Sequence, residues 1–249
     1  MKYASIFRIL TCIAPLLLLS TLWAKEKNAQ QKIADLGGRL FQKKGEVVEV
    51  VLNGASFKSG ELKFLADFPQ LTDLSLEKTS ASDQDMAFVA KLPKLEWLNL
   101  YRTQVGDEGT RHLSRSQSLQ LLPVGETKIT DEGIAHLANA GQLTYLGLRG
   151  NRITDKCAHH LAKLTKLEGL YLGETQVTDE TVRALAKLPK LEKLWLHDLP
   201  ITDASVKILS KMKTLRELHV YATKLSTKGV RRLQSALPRC QVIHDAPVK

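Results

Sequence analysis

At 249 residues the chain has room for one domain or two, and its 43% hydrophobic content argues against disorder. A net charge of +10 admits nucleic acid, an anionic polymer or a membrane surface as partner, or nothing beyond solubility. Three cysteines are too few to staple a fold of this length.

Residues 1–24 read as a secretory signal. Lys2 and Arg8 supply positive charge, Ile9 to Leu22 form an apolar run, and Ala24 offers a cleavage point. The run is shorter than the roughly 20 apolar residues of a membrane helix, and it contains Pro15. Leu22 is larger than the residue favoured three positions before cleavage, so a retained anchor is the alternative; Cys12 is a spectator. Export implies a secreted or periplasmic protein at net +8, with no transmembrane span after cleavage. The remaining Cys157 and Cys240 lie three repeats apart. At ~4.8 Å per strand step they exceed the ~7 Å between Cα atoms that a disulfide spans.

Residues 25–45 place Ile33, Leu36, Leu40 and Phe41 at helical spacing, interrupted by Gly37-Gly38. The spacing predicts a short amphipathic cap over the first face of a repeat array. From Glu46 to His244 the chain repeats. A degenerate first copy uses Val47, Val50 and Leu52, with Phe57, Leu62, Leu65 and Phe68 further along. Seven clear copies then open at Leu71, Leu95, Leu119, Leu143, Leu167, Leu191 and Leu215, a constant step of 24. The fourth, LTYLGLRGNRITD, is typical, with inward leucines at positions one, four and six of the copy and Asn151 at nine. Thr or Asn at position nine predicts a stacked polar ladder between copies. Thr-Asp at twelve and thirteen predicts a helix N-cap with an acid at the positive dipole end. A polar tail, residues 245–249, closes the chain.

This pattern over residues 46–244 closely resembles the leucine-rich repeats of secreted bacterial proteins, and more distantly the ribonuclease-inhibitor-like and F-box-associated repeats. The resemblance implies an α/β fold, a right-handed horseshoe solenoid with a parallel β-sheet on its concave face and helices on its convex face. By analogy alone it implies protein recognition. No F-box precedes the repeats, and the cysteine enrichment of ribonuclease inhibitors is absent.

Positions two, three, five, seven and eight point outward and predict the concave surface. Trp97 and Tyr145 fall at three, Tyr171 and Trp195 at five, and Tyr101 and Tyr221 at seven, which accounts for every Trp and Tyr beyond the signal. His197 and His219 join this exposed set, whereas the Phe residues fall at turn, helix or cap positions. Rings with a hydrogen-bonding tip on one surface suit a binding face; the alternative is simple cover for neighbouring strands. Gly125, Gly147, Gly169 and Gly173, with Pro123, predict a low groove floor between aromatic walls. The concave positions hold ten acids against five bases, so the face nets −5 and everything else +13. Nucleic acid is therefore disfavoured there, and a neutral or basic protein or peptide fits better.

His112, His136 and His160 share position eighteen, but helices ~8–10 Å apart cannot close ~2 Å metal bonds, so no metal is expected. There is no G-x-S-x-G elbow, no Gly-rich phosphate loop and no evident Cys-His pair, so neither enzyme activity nor a cofactor is expected. The sequence thus predicts a non-enzymatic protein or peptide binder using Trp97, Tyr101, Tyr145, Tyr171, Trp195, His197, His219 and Tyr221. A carbohydrate-binding module of the cell envelope and a structural envelope protein with a basic convex side are the alternatives.

Overall fold

The computed structural model describes residues 24–245; the predicted signal up to residue 23 and the tail residues 246–249 lie outside it. Among the described residues no helix is long and apolar enough to cross a membrane. The chain is an α/β leucine-rich-repeat solenoid whose ten strands follow sequence order in a single sheet. The strands are β1 (Arg39–Lys43), β2 (Glu46–Val51), β3 (Asp73–Ser75), β4 (Trp97–Asn99), β5 (Leu121–Pro123), β6 (Tyr145–Gly147), β7 (Gly169–Tyr171), β8 (Lys193–Trp195), β9 (Glu217–His219) and β10 (Gln241–Ile243). From β2 onward every pairing is parallel, and each repeat lies in register with the next.

The N-terminal cap corrects the expectation of one helical face. Residues 24–35 form helix α1, which buries Ala29 and Ile33 against the first copy. Gly37 then adopts a left-handed φ of 71°, with Gly38 N–H donating to Ile33 O at 2.8 Å and Gly37 N–H to Ala34 O at 2.9 Å. This paired closure ends the helix. Leu40 and Phe41 therefore lie in β1, which pairs antiparallel with β2 around the two-residue turn Lys44-Gly45. Both turn residues have positive φ, as the favoured hairpin turn requires.

Each later strand returns through a short helical segment on the convex side. These are a 3-10 helix (Glu61–Asp67), α2 (Asp83–Val89), α3 (Asp107–Leu113), α4 (Asp131–Leu137), α5 (Ala158–Leu161), α6 (Asp179–Leu185), α7 (Val206–Leu209) and α8 (Thr227–Ala236). Position four is fully buried throughout the clear copies, with Leu74, Leu98, Leu122, Leu146, Leu170, Leu194 and Leu218 all at 0% exposure. At about 1.5–3 kcal/mol for each buried leucine, this continuous column is the main stabilising feature.

Two polar systems act at the repeat turns. The position-nine threonines satisfy strand-end carbonyls and the Thr-Asp pairs start helices as expected, but the bonding between copies falls elsewhere than position nine. The position-nine threonines bond within their own copy, as Thr103 Oγ1 does to Leu100 O at 2.8 Å. They satisfy the strand-end carbonyl. Only Asn151 reaches back, donating to Val124 O at 2.8 Å and accepting from Thr127 N–H at 2.8 Å. The ladder between copies is built instead by the position-thirteen aspartates. Thr130 caps its own helix by accepting from Glu132 N–H, while Asp107 of the preceding copy accepts from Thr130 N–H at 2.8 Å and Oγ1 at 2.7 Å. Asp131, Asp155, Asp179 and Asp203 repeat this contact on Thr154, Thr178, Thr202 and Ser226.

Position eight is left-handed in every clear copy: Lys78, Arg102, Glu126, Gly150, Glu174, Asp198 and Ala222 have φ between 50° and 70°. A side chain pays roughly 1 kcal/mol there that glycine does not. Ala222 is exposed. Ala222→Gly is accordingly expected to stabilise the protein by about 0.5 kcal/mol after the added unfolded-state entropy, read as a higher thermal midpoint.

Candidate functional site

The sheet register sorts the outward residues into rows. The position-three row runs Phe41, Glu49, Asp73, Trp97, Leu121, Tyr145, Gly169, Lys193, Glu217 and Gln241. The position-five row includes Pro123, Gly147, Tyr171, Trp195, His219 and Ile243. Phe41 is 49% exposed opposite Glu49, so one Phe does reach the concave face, contrary to the expected division. Leu121 is 38% exposed in the same row as Trp97 and Tyr145. Sorting by aromatics alone misses it, although its position-three register was readable.

Six of the eight predicted residues come together. Tyr171 and Trp195 stack at 5.5 Å, and the Trp195 ring meets Tyr145 edge-on at 6.3 Å. His219 lies 5.5 Å from Trp195, and His197 stacks on Tyr221 at 4.5 Å with an interplanar angle of 6°. The rings form one network over β6 to β9 and the following turns. Trp97 and Tyr101 stand apart from it. The Tyr101 hydroxyl donates to Glu126, whose carboxylate also accepts from Arg102 Nε at 2.6 Å. The Arg102 bond is the main cause holding Glu126 below the usual carboxylate range.

His197 is only 2% exposed, which corrects its assignment to the exposed set. Its Nδ1 lies 2.7 Å from Asp198 Oδ2, and its Nε2 lies 2.7 Å from the Tyr171 hydroxyl. Both ring nitrogens are thus committed, and the side chain orients Tyr171 and supports Tyr221. His219 Nε2 lies 2.6 Å from Glu217 Oε1. Burial raises the Tyr145 and Tyr171 phenols above their ordinary value, so they stay neutral donors and are weak nucleophiles.

The glycines do not leave an open groove, contrary to the sequence expectation. A Cβ on Gly169 would meet the Tyr145 ring at 2.8 Å, and one on Gly173 would meet His197 Cε1 at 2.5 Å and Tyr171 at 2.9 Å. The rings lie down over the glycines. The face is a paved aromatic platform rather than a trough between walls. Pro123 does disturb the ladder, since only Trp97 and Leu121 remain paired between β4 and β5.

Glu174, His197 and Asp198 offer potential metal-ligand atoms within 4.8 Å of one another. Glu174 already accepts from Arg149 Nε at 2.9 Å, and both His197 nitrogens are engaged, so a cation there has to displace existing bonds. His136 of the helical row faces Asp107 O at 3.0 Å, and the His160 ring lies tilted against His159, centroids 3.7 Å apart. Among the described residues that row joins no three-ligand group. Cys157 is buried in the core, where burial pushes its thiol up to about 12, while Cys240 is half-buried in the last copy.

No family model matches the chain, and no curated protein matches it in sequence. Among solved structures it is similar to an internalin C2 (inlC2) from Listeria monocytogenes str. 4b F2365. The TM-score is 0.63 at 24% identity, covering 87% of this chain and 92% of that one. It is also similar to an internalin (inlF) from the same organism, at a TM-score of 0.56 and 20% identity over 80% of this chain. The chain spans 59% of the length of that internalin. At these identities the likeness is one of fold.

Proposed function

On this leucine-rich-repeat solenoid, we propose a non-enzymatic binding protein that is exported and holds a protein or peptide along its concave face. The observation that carries the reading is the ring network of Tyr145, Tyr171, Trp195, His197, His219 and Tyr221, all but His197 partly exposed on one surface. Aromatic residues with polar tips supply much of the binding energy of protein interfaces, and a platform fixed by mutual stacking loses little entropy on binding. Trp97, Tyr101 and Leu121 extend the contact surface toward the N-terminal copies. His197 acts from beneath, as a support. The internalin-like fold agrees with such a role, and among the described residues no nucleophile, cofactor cradle or relay toward an open pocket argues for chemistry.

The test is affinity capture from the source organism's envelope, followed by titration of the captured partner. Trp195→Ala removes the ring that touches Tyr145, Tyr171 and His219, and is expected to weaken the partner about tenfold, with Trp97→Ala less harmful. Unchanged affinity in the double variant Trp97→Ala/Trp195→Ala overturns the reading. Saturable retention on a glycan or peptidoglycan matrix, lost with the same substitutions, makes the platform a carbohydrate module instead. Salt-sensitive binding to anionic vesicles that survives the tryptophan changes points to the basic convex side and a structural envelope role.

A further inference from the structure

Beside the aromatic platform lies a small cavity of about 180 Å³, lined by Leu121, Thr144, Tyr145, Glu168, Gly169, Glu192 and Lys193. Its chemistry is uneven in an informative way. Leu121 and the Tyr145 ring form an apolar wall, and Gly169 lies at its base beneath the edge of that ring. Glu168 and Glu192 stand at position two of adjacent repeats, one strand spacing of ~4.8 Å apart, on the same side of the sheet. Both are exposed.

Most other concave acids are already engaged. Glu126 holds Arg102, Glu174 holds Arg149, Asp198 holds His197, and Glu217 holds His219. Lys193, the cation nearest this pair in sequence, has its ammonium 4.0 Å from Glu217. The carboxylates of Glu168 and Glu192 have neither a hydrogen bond nor an ion pair among the described residues. Like charges on neighbouring strands repel, and a cation placed between the two carboxylates relieves that repulsion.

Building on the proposed binding function, we infer that this cavity takes an arginine side chain of an extended partner segment lying on the aromatic platform. The arginine stem packs on Leu121 and Tyr145, as long cationic side chains do on apolar surface. The guanidinium sits over the Tyr145 ring and forks toward Glu168 and Glu192, two acceptors that its planar donor set can serve at once. The choice of a cation rests on the two unpaired carboxylates. The choice of arginine over lysine rests on the need to address two separated acceptors beside an aromatic face.

The probe is the capped peptide Ac-Gly-Gly-Arg-Gly-Gly-amide, with its citrulline counterpart as the neutral isostere, read by amide NMR. The arginine peptide is expected to shift the Leu121, Tyr145 and Gly169 amides saturably, and the citrulline peptide to bind at least tenfold more weakly. The double variant Glu168→Gln/Glu192→Gln is expected to abolish the shifts while keeping or raising the thermal midpoint, which shows that it folds. Equal binding of both peptides, or shifts spread over the acids of the N-terminal copies, overturns the inference. Once a partner is in hand the two proposals separate. Loss of affinity in Trp195→Ala but not in Glu168→Gln/Glu192→Gln sinks the arginine pocket alone, whereas no loss in the tryptophan variants sinks the binding face.

Discussion

Asp155→Ala is expected to destabilise the protein by about 3 kcal/mol. Asp155 accepts four hydrogen bonds from the next repeat: Thr178 N–H at 2.8 Å and Oγ1 at 2.6 Å, and Thr181 N–H at 3.2 Å and Oγ1 at 2.6 Å. Thr181 is fully buried, so alanine leaves its hydroxyl and amide dry and unpaired. In a solenoid each copy touches only its neighbours, so a broken central interface divides the cooperative unit. Calorimetry is expected to show the midpoint falling by roughly 6–12 °C, with a split or broadened transition. Asp203→Ala, at the exposed contact with Ser226 near the end of the array, is expected to cost only about 1 kcal/mol. Equal losses at the two positions would show that the ladder does not couple repeats.

The same ladder sets an acid limit. Burial opposes ionisation of Asp155, but the hydrogen bonds from Thr178 and Thr181 outweigh it and hold the carboxyl below its ordinary value. Hydrogen bonds from Ser226 do the same for Asp203. A carboxyl lowered by folding contributes stability that is fully present above its unfolded value of about 3.9 and is lost as pH falls through the folded value. Urea midpoints should therefore be flat through neutrality and fall below about pH 4, less steeply in Asp155→Asn.

The solenoid was legible because its period repeats an inward leucine pattern that only one packing satisfies. The aspartate ladder was half legible. Thr-Asp announced a helix start, yet a single copy gives no sign that the acid serves the following repeat. A second signal was present at position fifteen, which reads Asp85 in the first clear copy, where Ser59 and not an aspartate precedes it, and then Gly109, Gly133, Cys157, Thr181, Ser205 and Gly229. Small residues stand there because the preceding aspartate fills the space: a Cβ on Gly109 would lie 2.6 Å from Asp83 Oδ1. Thr181 and Ser205 instead donate their hydroxyls to that acid. Phe41 was misplaced because helical spacing and an alternating hairpin both fit so short a segment, and the Lys44-Gly45 turn decided between them. On the concave face, residue positions gave the membership of the site but not the direction in which rings lean. His197 was placed outside for that reason. Its burial comes from Gly173 in the preceding copy and Tyr221 in the next, and neither is visible from the strand that carries it.

That dependence makes Gly173→Val the sharpest test of how the platform is built. Valine has no backbone difficulty at this position, since Gly173 does not use a positive φ. The obstacle is lateral. The first side-chain carbon arrives 2.5 Å from His197 Cε1 and 2.6 Å from Nε2, well inside contact distance. His197 cannot retreat, because it stacks on Tyr221 at 4.5 Å and packs edge-on against Tyr171 at 5.2 Å. It must swing into solvent, breaking the 2.7 Å bond to the Tyr171 hydroxyl and freeing Tyr171 and Tyr221. Overpacking of this kind costs about 2 kcal/mol, and the loss of fixed ring geometry is expected to weaken the near-ultraviolet circular dichroism of the protein. Gly141→Ala is the matched control: nothing lies within 4 Å of its added carbon and its φ is not positive, so it should be neutral or slightly stabilising. Should Gly173→Val keep both the midpoint and the aromatic signal, the rings are loose cover over the strands. Should it lose both while the leucine column stays folded, the glycines are seats for a preorganised binding surface, and the same variant is expected to bind the partner as weakly as Trp195→Ala.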